Sequence, residues 1–196
     1  MVVAEGLSNG PSDVVSDAAL RAAESRASLD HPHLASWRDA FRAFGAKRYV
    51  CSAEALIARA VSGGLPRISA LVDRYNAISV AHSVPVGGED LDHVVGPVRL
   101  VFAGGDEAFD EGAVRAGEVV WTDAVGVTCR RWNWRQGVRT RLTSSTTRAY
   151  FLFDALPPFS DADLDAAMSD LSTSLASGWP GAQLTSFVVP GPTAAG

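Results

Sequence analysis

Apolar residues recur at helical spacing through the first part of the chain and at strand spacing through most of the rest. Val14, Val15, Ala18 and Leu20 suggest a short helix reaching about Ser25. Ser36 followed by Trp37, Phe41 and Phe44 at i, i+4 and i+7 predicts a capped helix that Gly45 ends. A short strand over 48–51 is expected next. Ser52 then caps a helix over 53–61, which stops at Gly63-Gly64. Pro66 opens a further helix whose stripe is Ile68, Leu71, Val72, Tyr75 and Ile78, with His82 near its end as a surface residue.

From Pro85 the pattern changes. Pro85-Val86-Gly87-Gly88-Glu89-Asp90-Leu91-Asp92 reads as a glycine-rich acidic loop. Strands are expected over 98–103, 118–122, 127–133, 147–153 and 184–189, with glycine-bearing turns between them. One long helix interrupts them: Ser160 and Asp163 form a capping-box-like start, and Leu164, Met168, Leu171 and Leu175 give the apolar stripe up to Gly178. Helices first and mostly adjacent strands afterwards predict an α+β domain with a largely antiparallel core. Residues 1–12 and 191–196 read as tails around a single domain over 13–190.

Composition narrows the possible functions. The chain has 196 residues, 47% hydrophobic and 20% charged, which suits one well-buried globular domain. No apolar run approaches a membrane span, and the N-terminus lacks the basic start and apolar block of a secretory signal, so the expectation is cytoplasmic with no membrane partner. Cys51 and Cys129 alone support neither a disulfide framework nor a four-cysteine zinc site. His31-Pro32-His33 reads as a linker with exposed histidines, because no further metal ligands stand near them. No glycine loop for phosphate, zinc pattern or nucleophile elbow is present, and no cofactor is expected.

Net charge is −5, which argues against a protein that coats nucleic acid by charge alone. Yet Arg130, Arg131, Arg135, Arg139, Arg141 and Arg148 fall in one short segment. They surround Cys129-Arg130-Arg131-Trp132-Asn133-Trp134-Arg135-Gln136, a run richer in guanidinium groups than a core requires. Such groups take anionic partners: neighbouring carboxylates, or a bound phosphate or carboxylate. If the strand continued through Trp134, Cys129, Arg131 and Asn133 would share one face, and Arg130, Trp132 and Trp134 the other. For Arg139 and Arg141, pairing with Asp90, Asp92 or aspartates of the last helix is an equal alternative to ligand binding. Cys129 reads as a small buried residue rather than a nucleophile, because no histidine is placed to activate it.

The runs Leu71-Val72-Asp73-Arg74-Tyr75-Asn76-Ala77-Ile78-Ser79, Pro85 to Asp92 and Cys129 to Gln136 resemble the B3/B4 domain of the phenylalanyl-tRNA synthetase β subunit, which also occurs as freestanding proteins. The resemblance runs from about Trp37 to Leu156. In the synthetase this domain hydrolyses mischarged tRNA in a cleft between its two halves. The resemblance therefore implies a freestanding deacylase whose partner is the aminoacylated 3′ end of tRNA with its amino-acid moiety. Asn76 matches an asparagine of the family. Gly87 stands where the synthetase has a histidine, and the synthetase's Gly-Gly-Glu pocket segment is replaced by the Trp-Asn-Trp-Arg-Gln run.

On this reading Arg131, Asn133 and Gln136 are candidate donors to the ester carbonyl, and Arg130 and Arg135 candidate holders of terminal phosphates. Asp90 or Glu89 would position the attacking water, and Gly87 and Gly88 would let backbone approach the ligand. Trp132 or Trp134 would stack on the adenine or the amino-acid side chain. The alternatives are a non-catalytic module that binds the acceptor end or an amino acid, and a transferase that passes the aminoacyl group to a small acceptor.

Overall fold

The computed structural model describes residues 1–110 and 112–189, and it has an α+β architecture. The expected tail over 191–196 lies outside those residues. Strand β1 (Val2–Glu5) is followed by helices α1 (Val14–Glu24), α2 (Pro32–Ala43), α3 (Ser52–Ser62) and α4 (Ala70–His82). Then come β2 (Val86–Asp90), a single 3-10 turn (Leu91–His93), β3 (Arg99–Phe102), β4 (Val119–Thr122), β5 (Val127–Arg130), β6 (Arg135–Gln136) and β7 (Arg148–Phe153). Helix α5 (Asp161–Gly178) and β8 (Gln183–Ser186) complete the described elements. The strands form two antiparallel four-stranded sheets, ordered β2-β7-β1-β8 and β3-β4-β5-β6.

The first sheet buries Val2, Ala4, Val86, Ala149, Phe151 and Phe153 against Leu71 of α4 and Leu164, Met168, Leu171 and Leu175 of α5. A second core joins α1 to α4 around Leu20, Leu34, Trp37, Phe41, Ile57 and Ala77. A small third core lies on one face of the second sheet, with Val120 and Val127 against Val114 and Ala103.

Several expectations need correction. The first twelve residues are no loose tail: β1 lies inside the first sheet, and Asn9 donates to Thr143 O at 2.8 Å. His31-Pro32-His33 is not a linker but the start of α2. His31 is its N-cap, Pro32 the first helical residue, and His33 is fully buried between Ser83 O (2.9 Å), the Trp37 indole N–H (3.0 Å) and Leu156 N (3.1 Å). Residues 48–51 form no strand, and the Cys51 sulfur, not Ser52, accepts at the start of α3. Helix α4 begins two positions after the exposed Ile68, with Ser69 as its cap, because the Asp73 carboxylate turns back to accept from Ile68 N. The glycine-rich loop is strand β2, paired with β7 along its whole length.

The largest correction falls on the tryptophan–arginine run. The chain leaves β5 after Arg130, because Arg131 and Trp132 take φ of 47° and 65°, in the left-handed region. Trp134 N then bonds back to Arg130 O at 3.2 Å, and Arg135 and Gln136 return as β6 opposite Arg130 and Cys129. This is a tight turn, so the alternation expected through Trp134 fails. The last strand likewise stops at Ser186 rather than continuing to Val189.

Candidate functional site

Local register explains how a cavity forms between the sheets. Along β7, Tyr150 and Leu152 point to one face, and Asp154, just past the strand, continues their row. Gly87 and Glu89 of β2 stand opposite Leu152 and Tyr150 and share that face. On the second sheet, Trp121 lies opposite Cys129, but Thr122 lies opposite Val127, so Thr128 is an extra residue. This bulge lets Val127 join the small third core while Cys129, Trp121 and Gln136 form a row facing the cavity. Helix α3 supplies Ser52, Ala55, Leu56 and Arg59 to the wall, and α4 supplies Tyr75 and Asn76. The tight turn adds Trp132, Asn133 and Trp134. The volume enclosed is about 280 Å³.

Two acids dominate the chemistry of this space. Glu89 is 6% exposed, and its Oε2 has no hydrogen-bond partner. Burial raises its carboxyl to about 7, with the Thr140 hydroxyl and the Gln136 amide partly opposing that rise. Asp154 accepts from Trp132 Nε1 and from Asn133 Nδ2, both at 3.2 Å. Burial raises it to about 6 even so. Asn133 in turn accepts from Ser52 N at 3.3 Å, tying the turn to the start of α3. Three further buried groups here have spare capacity: Ser52 Oγ has no partner, Trp121 Nε1 faces the Asp154 carboxylate and helps to lower it without a full hydrogen bond, and no described residue bonds the Asn76 amide. Burial keeps the Cys129 thiol well above its ordinary range and so protonated. Arg59 is exposed at the wall, and its guanidinium has no carboxylate among the described residues.

Of the residues singled out from sequence, Asn76, Gly87, Glu89, Trp132, Asn133, Trp134 and Gln136 line the cavity. Gly88 does not; a Cβ there would meet Leu142, Tyr75 and Phe151 at 2.9 to 3.1 Å, so its glycine serves packing. Asp90 points away and accepts from Thr146 Oγ1 at 2.6 Å and Asp92 N at 3.1 Å, which removes it as a water-positioning acid. Arg130 is buried on the Glu118 carboxylate through two bonds of 2.9 Å, and it also donates to Ala113 O, so it is not available to a phosphate. Arg131 lies outside the cavity, its guanidinium 4.0 Å from the Tyr49 ring centroid and 4.6 Å from that of Trp134. Arg135 lies 5.9 Å from the Trp134 ring centroid and does not line the cavity. Gln136 faces the cavity but donates to Gly88 O at 2.6 Å. Arg139 grips Asp123, and Arg148 pairs with Asp92 and Glu5, so neither reaches α5.

Asp154 and Arg59 are the residues the sequence reading missed. The period-two row Tyr150, Leu152, Asp154 was the signal for the first; nothing in the sequence marks Arg59. Among the described residues no group of three or more histidine, cysteine or acidic side chains could hold a metal, and no helix is long and apolar enough to cross a membrane.

Residues 36–171 match the family described as the B3/4 domain. No curated protein matches. Among solved structures, an N-terminal fragment of the phenylalanyl-tRNA synthetase β-subunit from Pyrococcus horikoshii is similar at 14% identity with a TM-score of 0.47. That alignment covers 58% of this chain and 40% of the fragment. Because the family match takes in well over half of its length, the chain belongs to the B3/4 domain family.

Proposed function

We propose that this protein hydrolyses the ester between an amino acid and the 3′ end of tRNA, acting as a separate deacylase on misacylated tRNA. The observation that carries the proposal is Glu89: a carboxylate at the wall of a half-open cavity, with one oxygen unpartnered and an affinity for protons matched to neutral pH. A general base works best when its pKa lies near the operating pH. Ionised Glu89 takes a proton from a water as that water adds to the ester carbonyl. The tetrahedral intermediate collapses to the free amino acid, and the ribose oxygen leaves with the proton. The Asn76 amide, which lines the same cavity, is the candidate donor to the developing oxyanion. Membership of the B3/4 family supports tRNA as the carrier, and the exposed Arg59 at the wall suits a phosphate of its 3′ end.

The test is deacylation of a panel of aminoacyl-tRNAs by wild-type protein and the Glu89→Gln variant. Glu89→Gln is expected to lower turnover by about 100-fold or more while leaving tRNA affinity in place. Full activity in that variant would remove Glu89 from the chemistry. A second reading, a binding module without turnover, is favoured by one observation: the Asn133 and Gln136 amides, expected as carbonyl donors, are spent on Asp154 and Gly88. Tight tRNA binding with no deacylation across the panel would establish it.

A further inference from the structure

The edge of a sheet exposes backbone groups that a further strand can pair, and proteins usually blunt such edges. In the first sheet, β2 is covered at Glu89 by its bridge to Arg141, and β8 presents the polar Gln183, Thr185 and Ser186. In the second sheet, β6 is only two residues long. The remaining edge, β3, is different. Arg99–Phe102 carries no proline, no lysine and no bulge. Leu100 is 37% exposed and Phe102 76%. Leu100 stands opposite Trp121 and Phe102 opposite Val119, so both continue the cavity face of the sheet out to its open edge.

Pleat parity fixes which backbone groups are free. Ala103 N donates to Glu118 O and Ala103 O accepts from Gly117 N, both at 2.8 Å, so the Ala103 backbone points towards β4. Alternation turns Val101 and Arg99 the same way, and it turns the N–H and C=O of Leu100 and Phe102 out to the open edge. The residues with free backbone are therefore those with exposed apolar side chains. Of the symmetric antiparallel registers open to two copies of this strand, the one centred on Val101 uses both. Leu100 of each copy then lies opposite Phe102 of the other, exchanging N–H···O bonds in both directions and covering the phenyl ring. The same register sets Arg99 of one copy beside Ala103 of the other, where the turn Gly104-Gly105-Asp106-Glu107 begins. Arg99 and Asp106 are both exposed, and neither has an ion-pair partner among the described residues. The strand is basic at its start and acidic just past its end, so an antiparallel copy matches charge as well as apolar surface.

We infer that this protein forms a two-fold homodimer by joining β3 to β3 of a second copy, so that two four-stranded sheets run together as one with Val101 at the axis. The interface is isologous: the same short patch serves both copies and meets itself in charge, apolar surface and hydrogen-bonding parity. An axis perpendicular to the joined sheet preserves its faces, so both cavities lie on the same side of the dimer. The inference stands apart from the deacylase reading and needs none of the cavity's chemistry.

The experiment is sedimentation velocity of the whole chain over about 1–100 µM. The expected result is a concentration-dependent rise from the monomer mass of 20.6 kDa to twice that value. Phe102→Lys, which changes an exposed side chain, should abolish the rise, and Phe187→Lys, just past the β8 edge, should leave it in place. Arg99→Asp should weaken association by about fivefold or more, and adding Asp106→Arg should restore it. Oxidation reads the register. Cα atoms of a non-hydrogen-bonded antiparallel pair lie ~4.5 Å apart, within disulfide reach, so Val101→Cys should link two copies. Arg99→Cys should not, because its counterpart lies four residues along the opposing strand, ~14 Å away. A monomer at every concentration would overturn the inference. So would a dimer that survives Phe102→Lys, or one that Arg99→Cys links and Val101→Cys does not. The wild-type mass and the Val101→Cys link decide if Phe102→Lys does not fold.

Discussion

Two polar regions lie within a few residues of each other and treat charge in opposite ways. Around β4 and β5 every buried acid has an arginine: Glu118 holds Arg130, and Asp123 holds Arg139 through bonds of 2.7 and 2.9 Å. In the cavity Glu89 and Asp154 are buried with no guanidinium on them. The same carboxyl chemistry therefore moves in opposite directions. Burial alone would raise Asp123, yet the Arg139 bonds and the backbone N–H groups of Val95, Val125 and Gly126 bring it to about 2. Asp154, with only neutral donors, rises to about 6. Paired acids are fixed as charges and serve the fold. Unpaired ones exchange their protons near neutral pH, as a proton-transferring group must.

The contrast can be broken from either side. Arg130→Ala should have the largest effect on folding, ~3–5 kcal/mol, because it strands the buried Glu118 carboxylate; urea denaturation reads it directly. Next comes the pH dependence of stability. Glu89 binds its proton more tightly folded than unfolded, so between its ordinary value near 4.5 and its folded value near 7 the native state holds more protons. Stability therefore falls as pH rises through that window, by on the order of 3 kcal/mol. Glu89→Gln should flatten that slope, and an unchanged slope in denaturation series at pH 5, 6, 7 and 8 would contradict the assignment. Asp123 runs the other way: its contribution is present above pH 4 and lost as pH falls towards about 2.

Smaller effects sharpen the comparison. Arg139→Ala leaves Asp123 its backbone donors, so a loss of ~1–3 kcal/mol is expected, below that of Arg130→Ala. Arg131→Ala removes stacking on Tyr49 and Trp134 and a secondary attraction to Glu118, and should cost ~0.5–1 kcal/mol in thermal stability. If Arg131→Ala instead abolished deacylation with stability intact, the guanidinium would have to leave its aromatic stack to reach the substrate.

Periodicity made most of the helices legible, because Trp37, Phe41, Leu71 and Leu171 repeat at the spacing of one buried face. The five main strands were legible for the same reason, though not all their ends. What failed were positions where a polar contact overrides pattern. His31 caps a helix through its ring nitrogen, and Asp73 turns back on Ile68, neither of which hydrophobic spacing can reveal. The Trp-Arg run was misread as extended because two consecutive non-glycine residues in left-handed backbone have no sequence signature. Among site residues, those on the tryptophan turn and the glycine strand were found by local density of unusual residues. Asp154 was passed over because a lone aspartate after Tyr150-Phe151-Leu152-Phe153 looks like an ordinary strand end. Its burial depends on α3 and the turn, which approach it only in three dimensions.

Strand β1 sits between β7 and β8, with Val2 opposite both Phe151 and Ser186. During synthesis the apolar Val2-Val3-Ala4 stretch therefore waits for partners that emerge well over a hundred residues later. Helices α1 to α4 need less delay, since the buried residues of their shared core run only from Leu20 to Val80. The order of assembly this topology predicts is a helical subdomain first, then β2 and β7, and last the insertion of β1. Folding should be slow for the chain's size, because its final step closes the longest loop available.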